Sequence, residues 1–216
     1  MKTVAVISGG MDSVTMLHDL HERGHELEVI SFDYGQRHVK ELEVAKANAD
    51  QLGLVHTIVK MDFMANLLDQ SALTGDIDVP EGHYEDDNMK LTVVPNRNMI
   101  MASIAIGRAV NIGAENVALG VHSGDHAIYP DCRPEFIDKL NAVAQIANYD
   151  PVNVLAPYID MDKTSIIERG LEIGVDYAKT WTCYKGKELA CGQCGSCQER
   201  LEAFANNNMK DPVPYV

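Results

Sequence analysis

The stretch Ser8-Gly9-Gly10-Met11-Asp12-Ser13 constrains this chain more than any other. A β-branched run, Thr3-Val-Ala-Val-Ile7, precedes it, and Val14, Leu17 and Leu20 follow at helical spacing. A strand that turns into a helix through paired glycines brings backbone N–H groups close to an anion. The helix N-terminus adds partial positive charge. Ser8 and Ser13 offer hydroxyl donors. Asp12 repels a phosphate directly but helps to hold Mg²⁺, which reverses that sign. The spacing is neither the Walker A pattern nor the dinucleotide fingerprint. An ordinary strand-to-helix turn, bent by glycine and capped by Asp or Ser, is the competing reading.

The same alternation continues along the chain. Strands are predicted at 3–7, 27–32, 56–59, 116–121 and 153–156. Helices are predicted at 12–23, 38–52, 98–112 and 134–147, and a further one opens at Asp162-Lys163-Thr164. This order predicts an α/β fold, an open parallel sheet of about five strands with helices on both faces. Ligands of such sheets bind outside the carboxyl ends of the strands, where the glycine loop lies. Residues 70–90 break the pattern with Gly75, Pro80, Gly82 and acidic residues, and read equally as a solvated loop or a substrate lid.

A length of 216 residues suits one domain with a sizeable core. The formal charge of −14 disfavours a polyanionic partner, because nucleic-acid binders displace counterions with clustered Lys and Arg. A small-molecule substrate is therefore expected, and no nucleic acid. The apolar start is too short for a secretory signal, and no stretch approaches the roughly 20 apolar residues of a membrane span. A cytoplasmic location without membrane attachment is the expectation.

Four of the five cysteines cluster as Cys183, Cys191, Cys194 and Cys197, while Cys132 stands alone. Four thiolates close a tetrahedral Zn²⁺ site, and the Cys-x-x-Cys steps let one loop supply three of them. A redox pair or an iron–sulfur cluster competes with this reading. A closed set leaves no position for water, so the expected role is structural, pinning a C-terminal segment (181–216) against the main part (1–180).

Other polar groups gather at strand ends. Arg37 and His38 follow the second strand, and Arg97 precedes the most apolar helix. Each is a candidate for gripping a phosphate or a carboxylate, or merely for helix-start chemistry. Asp131, Cys132 and Arg133 follow the fourth strand, with Cys132 read as a buried structural cysteine rather than a nucleophile. Lys163 at a helix start opposes the macrodipole, which suggests a use such as phosphate binding.

The loop Ser8 to Ser13 is similar to the pyrophosphate-binding loop, Ser-Gly-Gly-x-Asp-Ser, of the N-type ATP pyrophosphatases. Joined to Tyr34-Gly-Gln-Arg-His38, Val94-Pro-Asn-Arg-Asn98, Tyr129-Pro-Asp-Cys-Arg133, Trp181-Thr-Cys-Tyr184 and Cys191-Gly-Gln-Cys-Gly-Ser-Cys197 with Arg200, it resembles the 7-cyano-7-deazaguanine synthases of queuosine biosynthesis. The resemblance runs from Val4 to about Phe204. It implies an adenine-nucleotide hydrolase-like fold and a homodimeric ligase. That ligase converts 7-carboxy-7-deazaguanine, ammonia and ATP to the nitrile through adenylated intermediates, releasing AMP and pyrophosphate. It implies ATP binding by Ser8, Gly9, Gly10, Met11, Asp12 and Ser13, with Asp12, Ser13 and Lys163 catalytic. Arg37, His38, Arg97, Asp131 and Arg133 fall to the substrate, and the four clustered cysteines to Zn²⁺. The chain departs from the family pattern at Asn96, where Gly is expected, and at Ala127-Ile128, where Ser-Gly is expected. Three rivals share these residues: an enzyme that stops at the amide, a tRNA sulfur-transferase, and a zinc-ribbon interaction module with a vestigial nucleotide site.

Overall fold

Five parallel strands and seven helices alternate along the chain among the residues described, which in this computed structural model are 1–83, 86–122, 124 and 128–216. They are β1 (Lys2–Val6), α1 (Met11–Glu22), β2 (Glu26–Asp33), α2 (Lys40–Gln51), β3 (Val55–Lys60), α3 (Phe63–Leu67), α4 (Arg97–Ile112), β4 (Asn116–Leu119), α5 (Pro134–Ile146), β5 (Asn153–Leu155), α6 (Lys163–Glu172) and α7 (Gly195–Asn206). The sheet order is β3-β2-β1-β4-β5. Ala5 pairs with Val29 on one side and Ala118 on the other, so β1 is the central strand. The departure at Ala127 lies outside the described residues.

Successive side chains of a strand face opposite sides, and the two cores divide accordingly. Val4, Ile30 and Val117 join α4 and α5 through Ala102, Ala105, Ile137 and Leu140. Ala5, Val29 and Ala118 join α1, α6 and α7 through Val14, Leu17, Ile166 and Phe204. Helices thus cover both faces, as the alternation predicts. The chain turns to opposite sides after β1 and β4, and the loops at their carboxyl ends part to form a crevice.

Two boundaries shift for physical reasons. The helix predicted from 38 begins at Lys40 because Gln36 holds the preceding turn. Its side chain accepts from the Tyr34 amide at 2.8 Å and donates to Phe32 O at 3.1 Å. The strand predicted to 121 stops at Leu119 because Gly120 is pressed on the glycine loop, where a Cβ would lie 3.0 Å from Ser13 Cα.

The segment 70–90 is no free loop in its described residues. Ser71, Ala72 and Leu73 are fully buried, as is Met89, and the Ala72 amide donates to Leu91 O at 2.7 Å. Further on, Glu81 forms an antiparallel bridge with Cys194, and the Gly82 amide donates to Gln193 O. Val79 packs with Trp181, Cys183 and Val213 in a third small core. The segment is a strap that ties the β3 side of the sheet to the cysteines.

Candidate active site

The glycine loop forms one wall of a cavity of about 200 Å³ at the β1/β4 crevice. Gly9 takes φ +98°, and a Cβ there would lie 2.1 Å from the Glu41 carbonyl oxygen, so only glycine lets α2 press on the loop. Trp181 N donates to Gly9 O at 2.9 Å, which fixes the loop from the other side. Ser13 Oγ donates to Gly10 O at 3.0 Å and lies 3.2 Å from Ser8 Oγ. No side chain caps α1. Its first-turn amides therefore have no partner within the helix, the arrangement an anion completes.

Behind the loop stands a charged cluster. Lys163, the first residue of α6, is buried at 7% exposure. Its Nζ lies 3.4 Å from Asp12 Oδ2 and 2.6 Å from Glu199 Oε2. His122 Nε2 is 3.7 Å from the same Asp12 oxygen. Asp12 Oδ1 is buried without a hydrogen-bond partner among the described residues. An orphan carboxylate oxygen is costly in a protein interior, and it fits a divalent cation arriving with a nucleotide.

The cavity is also lined by Tyr34, His38, Glu41, Arg97, Tyr129 and Cys132. Burial works against the charge on Arg97, but Tyr34, Tyr129 and Asp131 outweigh it and hold its pKa well above the ordinary range. Its guanidinium lies 5.7 Å from the centre of the Tyr129 ring. Burial, helped by Arg97, pulls His38 down to about 4, so the imidazole is neutral. Burial also pushes Glu41 well above the carboxylate range, with Arg97 only partly opposing it. His38 Nε2 and Glu41 Oε2 are 3.5 Å apart. A buried cation beside aromatic rings suits a planar anionic heterocycle.

Of the residues singled out in the sequence, Ser8, Gly10, Asp12, Ser13, His38, Arg97 and Lys163 line this cavity. Gly9 and Met11 support it from behind, Met11 as a fully buried core residue. Arg37 is exposed, donates to Gly75 O, and lines a separate surface hollow with Glu81, Lys185 and Lys187. Asp131 accepts from the Asn98 amide at 3.0 Å and so caps α4. Arg133 is exposed at the start of α5. Cys132 is 2% exposed yet lines the cavity, with Asn98 Nδ2 donating to its sulfur at 3.3 Å. Asn96 occupies the left-handed region at φ 60°, ψ 17°, which explains why the family pattern has glycine there. Asn tolerates that region better than most residues. Sequence reasoning missed Tyr34, Glu41, Tyr129 and Glu199.

The sulfur atoms of Cys183, Cys191, Cys194 and Cys197 lie within 4.8 Å of one another. The Cys191 and Cys197 sulfurs are 3.9 Å apart. A tetrahedral zinc with bonds of about 2.3 Å requires sulfur–sulfur edges of roughly 3.8 Å. Backbone amides of Gln193 and Cys194 donate to Cys191 Sγ, and that of Cys191 to Cys183 Sγ. Hydrogen bonds from Cys194 and Cys197 hold the Cys183 thiol far below its usual range, while the same contact pushes Cys194 up to about 12. One thiolate thus suppresses its neighbours, a conflict that a thiophilic cation removes. The donor set fits such an ion.

Known proteins resemble this chain over nearly its whole length. A family model described as queuosine biosynthesis protein QueC matches residues 2–208. The 7-cyano-7-deazaguanine synthase 1 of Colwellia psychrerythraea is 57% identical over 214 residues, covering 99% of this chain and 98% of that one. The 7-cyano-7-deazaguanine synthase of Alteromonas mediterranea is 57% identical over 212 residues, covering 98% and 97%. Among solved structures, NMN synthetase from Francisella tularensis superposes with a TM-score of 0.53 at 9% identity, covering 97% of this chain and 77% of that one. At that identity the likeness speaks for the fold alone.

Proposed function

The chain belongs to the queuosine biosynthesis protein QueC family, and from that premise we propose that it is an ATP-dependent carbon–nitrogen ligase converting 7-carboxy-7-deazaguanine and ammonia to 7-cyano-7-deazaguanine. The observation that carries this reading is a single cavity with two kinds of lining. The uncapped loop, Asp12 and Lys163 line it together with Arg97, Tyr34 and Tyr129. Such a cavity lets a carboxylate on a flat base reach the α-phosphate of ATP. The carboxylate oxygen attacks that phosphorus and pyrophosphate leaves. Ammonia then adds to the acyl adenylate and AMP departs, giving the amide. The amide oxygen repeats the attack on a second ATP, and loss of AMP and protons leaves the nitrile.

The residues divide this work by position. Loop amides, Ser8 and Ser13 receive the pyrophosphate, and Lys163 offsets charge that builds as it leaves. Asp12 is the residue that would hold Mg²⁺, which when bound would supply neutralisation of phosphate charge. Arg97 orients the substrate carboxylate, and His38 meets the heterocycle. Asp131 acts indirectly by fixing α4, and Arg37 and Arg133 are not among the residues that line the cavity. Cys183, Cys191, Cys194 and Cys197 hold a structural Zn²⁺ that docks 181–216 on the ATP pyrophosphatase part, 1–180.

The net charge of −14 supports a small acceptor over tRNA. Among the described residues no helix is long and apolar enough to cross a membrane, in keeping with a cytoplasmic enzyme, which we take to be a homodimer. Incubation with ATP, Mg²⁺, ammonium and 7-carboxy-7-deazaguanine tests the reading. AMP and the nitrile are expected, resolved by chromatography and mass spectrometry. ADP as the nucleotide product overturns the ATP chemistry, and the amide as sole final product confines the enzyme to the first half.

A further inference from the structure

Three side-chain carboxyl groups line the cavity, those of Asp12, Glu41 and Glu199. Asp12 and Glu199 each contact the Lys163 ammonium. Glu41 meets no lysine or arginine at ion-pair distance among the described residues. His38 Nε2 lies 3.5 Å from its Oε2, a long contact at best. The Glu41 side chain is 11% exposed. A carboxyl with acceptor capacity to spare thus stands in a nearly dry wall, a costly arrangement that a ligand relieves. His38 beside it is 3% exposed, and its Nδ1 is buried with no hydrogen-bond partner among the described residues. Both residues are fixed at their roots. The Glu41 amide donates to His38 O at 3.1 Å, and the Glu41 carbonyl presses on Gly9. Gly186 packs on His38, where a Cβ would lie 3.0 Å from the His38 Cα, and the Tyr184 ring lies 5.7 Å from the imidazole. Glu41 therefore touches the glycine loop through its backbone, while its side chain lies in the field of Arg97.

We infer that Glu41 is the residue that holds the ammonia of the proposed reaction, its carboxyl accepting an N–H of the nucleophile so that the nitrogen lone pair is left for the acyl carbon. The inference rests on that reading and deepens it by giving the nitrogen a place. Ammonia binds through its N–H groups and so needs an acceptor. The loop amides, Arg97 and Lys163 are donors and cannot serve it in that way. The Arg97 charge also raises the cost of a second cation nearby. The site therefore favours neutral ammonia over ammonium, and only the neutral form carries a lone pair. In the step itself, the nitrogen bonds to the acyl carbon and the bond from that carbon to the AMP oxygen breaks. The surplus proton leaves the nitrogen with the AMP phosphate. A role confined to the start of α2 would show in stability, and not in the use of one substrate among three.

Steady-state kinetics test this, with ammonium varied at fixed pH and ATP, Mg²⁺ and 7-carboxy-7-deazaguanine saturating. Glu41→Leu should raise the KM for ammonium about tenfold, while the KM values for ATP and the heterocycle stay within about twofold of wild type. Glu41→Gln keeps an acceptor oxygen and should recover part of the loss. Glu41→Ala opens space beside the nitrogen. It should accept methylamine and form the N-methyl amide, seen by mass spectrometry, where wild type does not. Melting temperature and α,β-methylene-ATP binding establish that each variant is folded. If Glu41→Leu does not fold, the methylamine comparison decides. An unchanged ammonium KM in Glu41→Leu overturns the inference, as does an equal rise in the KM for the heterocycle. So does a wild type that uses methylamine as readily as Glu41→Ala, or a folded Glu41→Ala that makes no methyl amide. A wild type that forms no AMP with ammonium defeats the proposed reaction as a whole. One that forms the nitrile while Glu41→Leu keeps the wild-type ammonium KM loses only the ammonia site.

Discussion

Glu41 and His38 show how a residue can serve a site at the expense of the fold. Both are buried in the wall of the cavity, and burial moves them in opposite directions. His38, depressed from 6.5 to about 4, contributes stability that is complete above 6.5 and is lost as pH falls towards 4. Glu41, raised above its ordinary 4.5, binds its proton more tightly in the folded state, so stability is lost as pH rises above 4.5. Glu41→Gln keeps the shape and cannot ionise. Its gain in melting temperature should be small at pH 5 and larger at pH 8, each kcal/mol reading as roughly 2–4 °C. Equal gains at the two pH values would contradict the upward shift of Glu41. The departure at Asn96 belongs to the same scale. Its backbone already sits where glycine is easy, so the departure alters a side chain and leaves the turn as the family has it.

At the scale of elements, the glycine loop works because three of them converge on it: α2 on Gly9, the end of β4 on Ser13, and the Trp181 amide on Gly9 O. Gly9→Ala forces a Cβ to within 2.1 Å of a helix carbonyl at a positive φ. The expected result is a loss of roughly 1–3 kcal/mol together with loss of α,β-methylene-ATP binding. Gly10→Ala is the control, since its Cβ meets the Ser8 hydroxyl oxygen at 3.2 Å and Trp181 O at an ordinary 3.8 Å, and its φ is −67°. It should keep the melting temperature, as thermal denaturation would record. The elements themselves were legible, because their apolar periods are strong. Helix α4 begins at Arg97 against a predicted 98, and β1 ends at Val6 against 7. The glycine-loop wall of the cavity was legible through its paired glycines. Glu41 and Glu199 were not, because a carboxylate on a helix reads by default as a solvated face. The signal was present: Glu41 shares its helical stripe with Ala45 and Ala49, both fully buried. Helix α7 escaped because it starts within the Cys-x-x-Cys run, where ligand spacing hides the helical period.

At the scale of the molecule, the cysteine cluster, the 70–90 strap and the tail form one dependent unit. Ala190 bridges to Tyr215, Glu81 to Cys194, and Lys185 pairs with Glu81. A structural zinc contributes an apparent binding energy of roughly 10–16 kcal/mol, comparable with the roughly 5–15 kcal/mol total stability of an ordinary domain. Chelation, or Cys191→Ser, should lower the melting temperature by about 10 °C or more and open the strap to proteolysis between residues 70 and 90. Calorimetry and mass mapping of the fragments read both, and a chelated protein with an unchanged melting temperature rules the metal out as a clamp. The central place of β1 has a consequence in time. Its residues leave the ribosome before those of β4, its second neighbour, which begins at Asn116. At ordinary elongation rates that is roughly 6–20 s later. Throughout that interval the glycine loop is a nascent turn with one wall, and the wall carrying Glu199 is later still. A growing chain therefore carries the glycine loop long before it has the cavity that the loop lines.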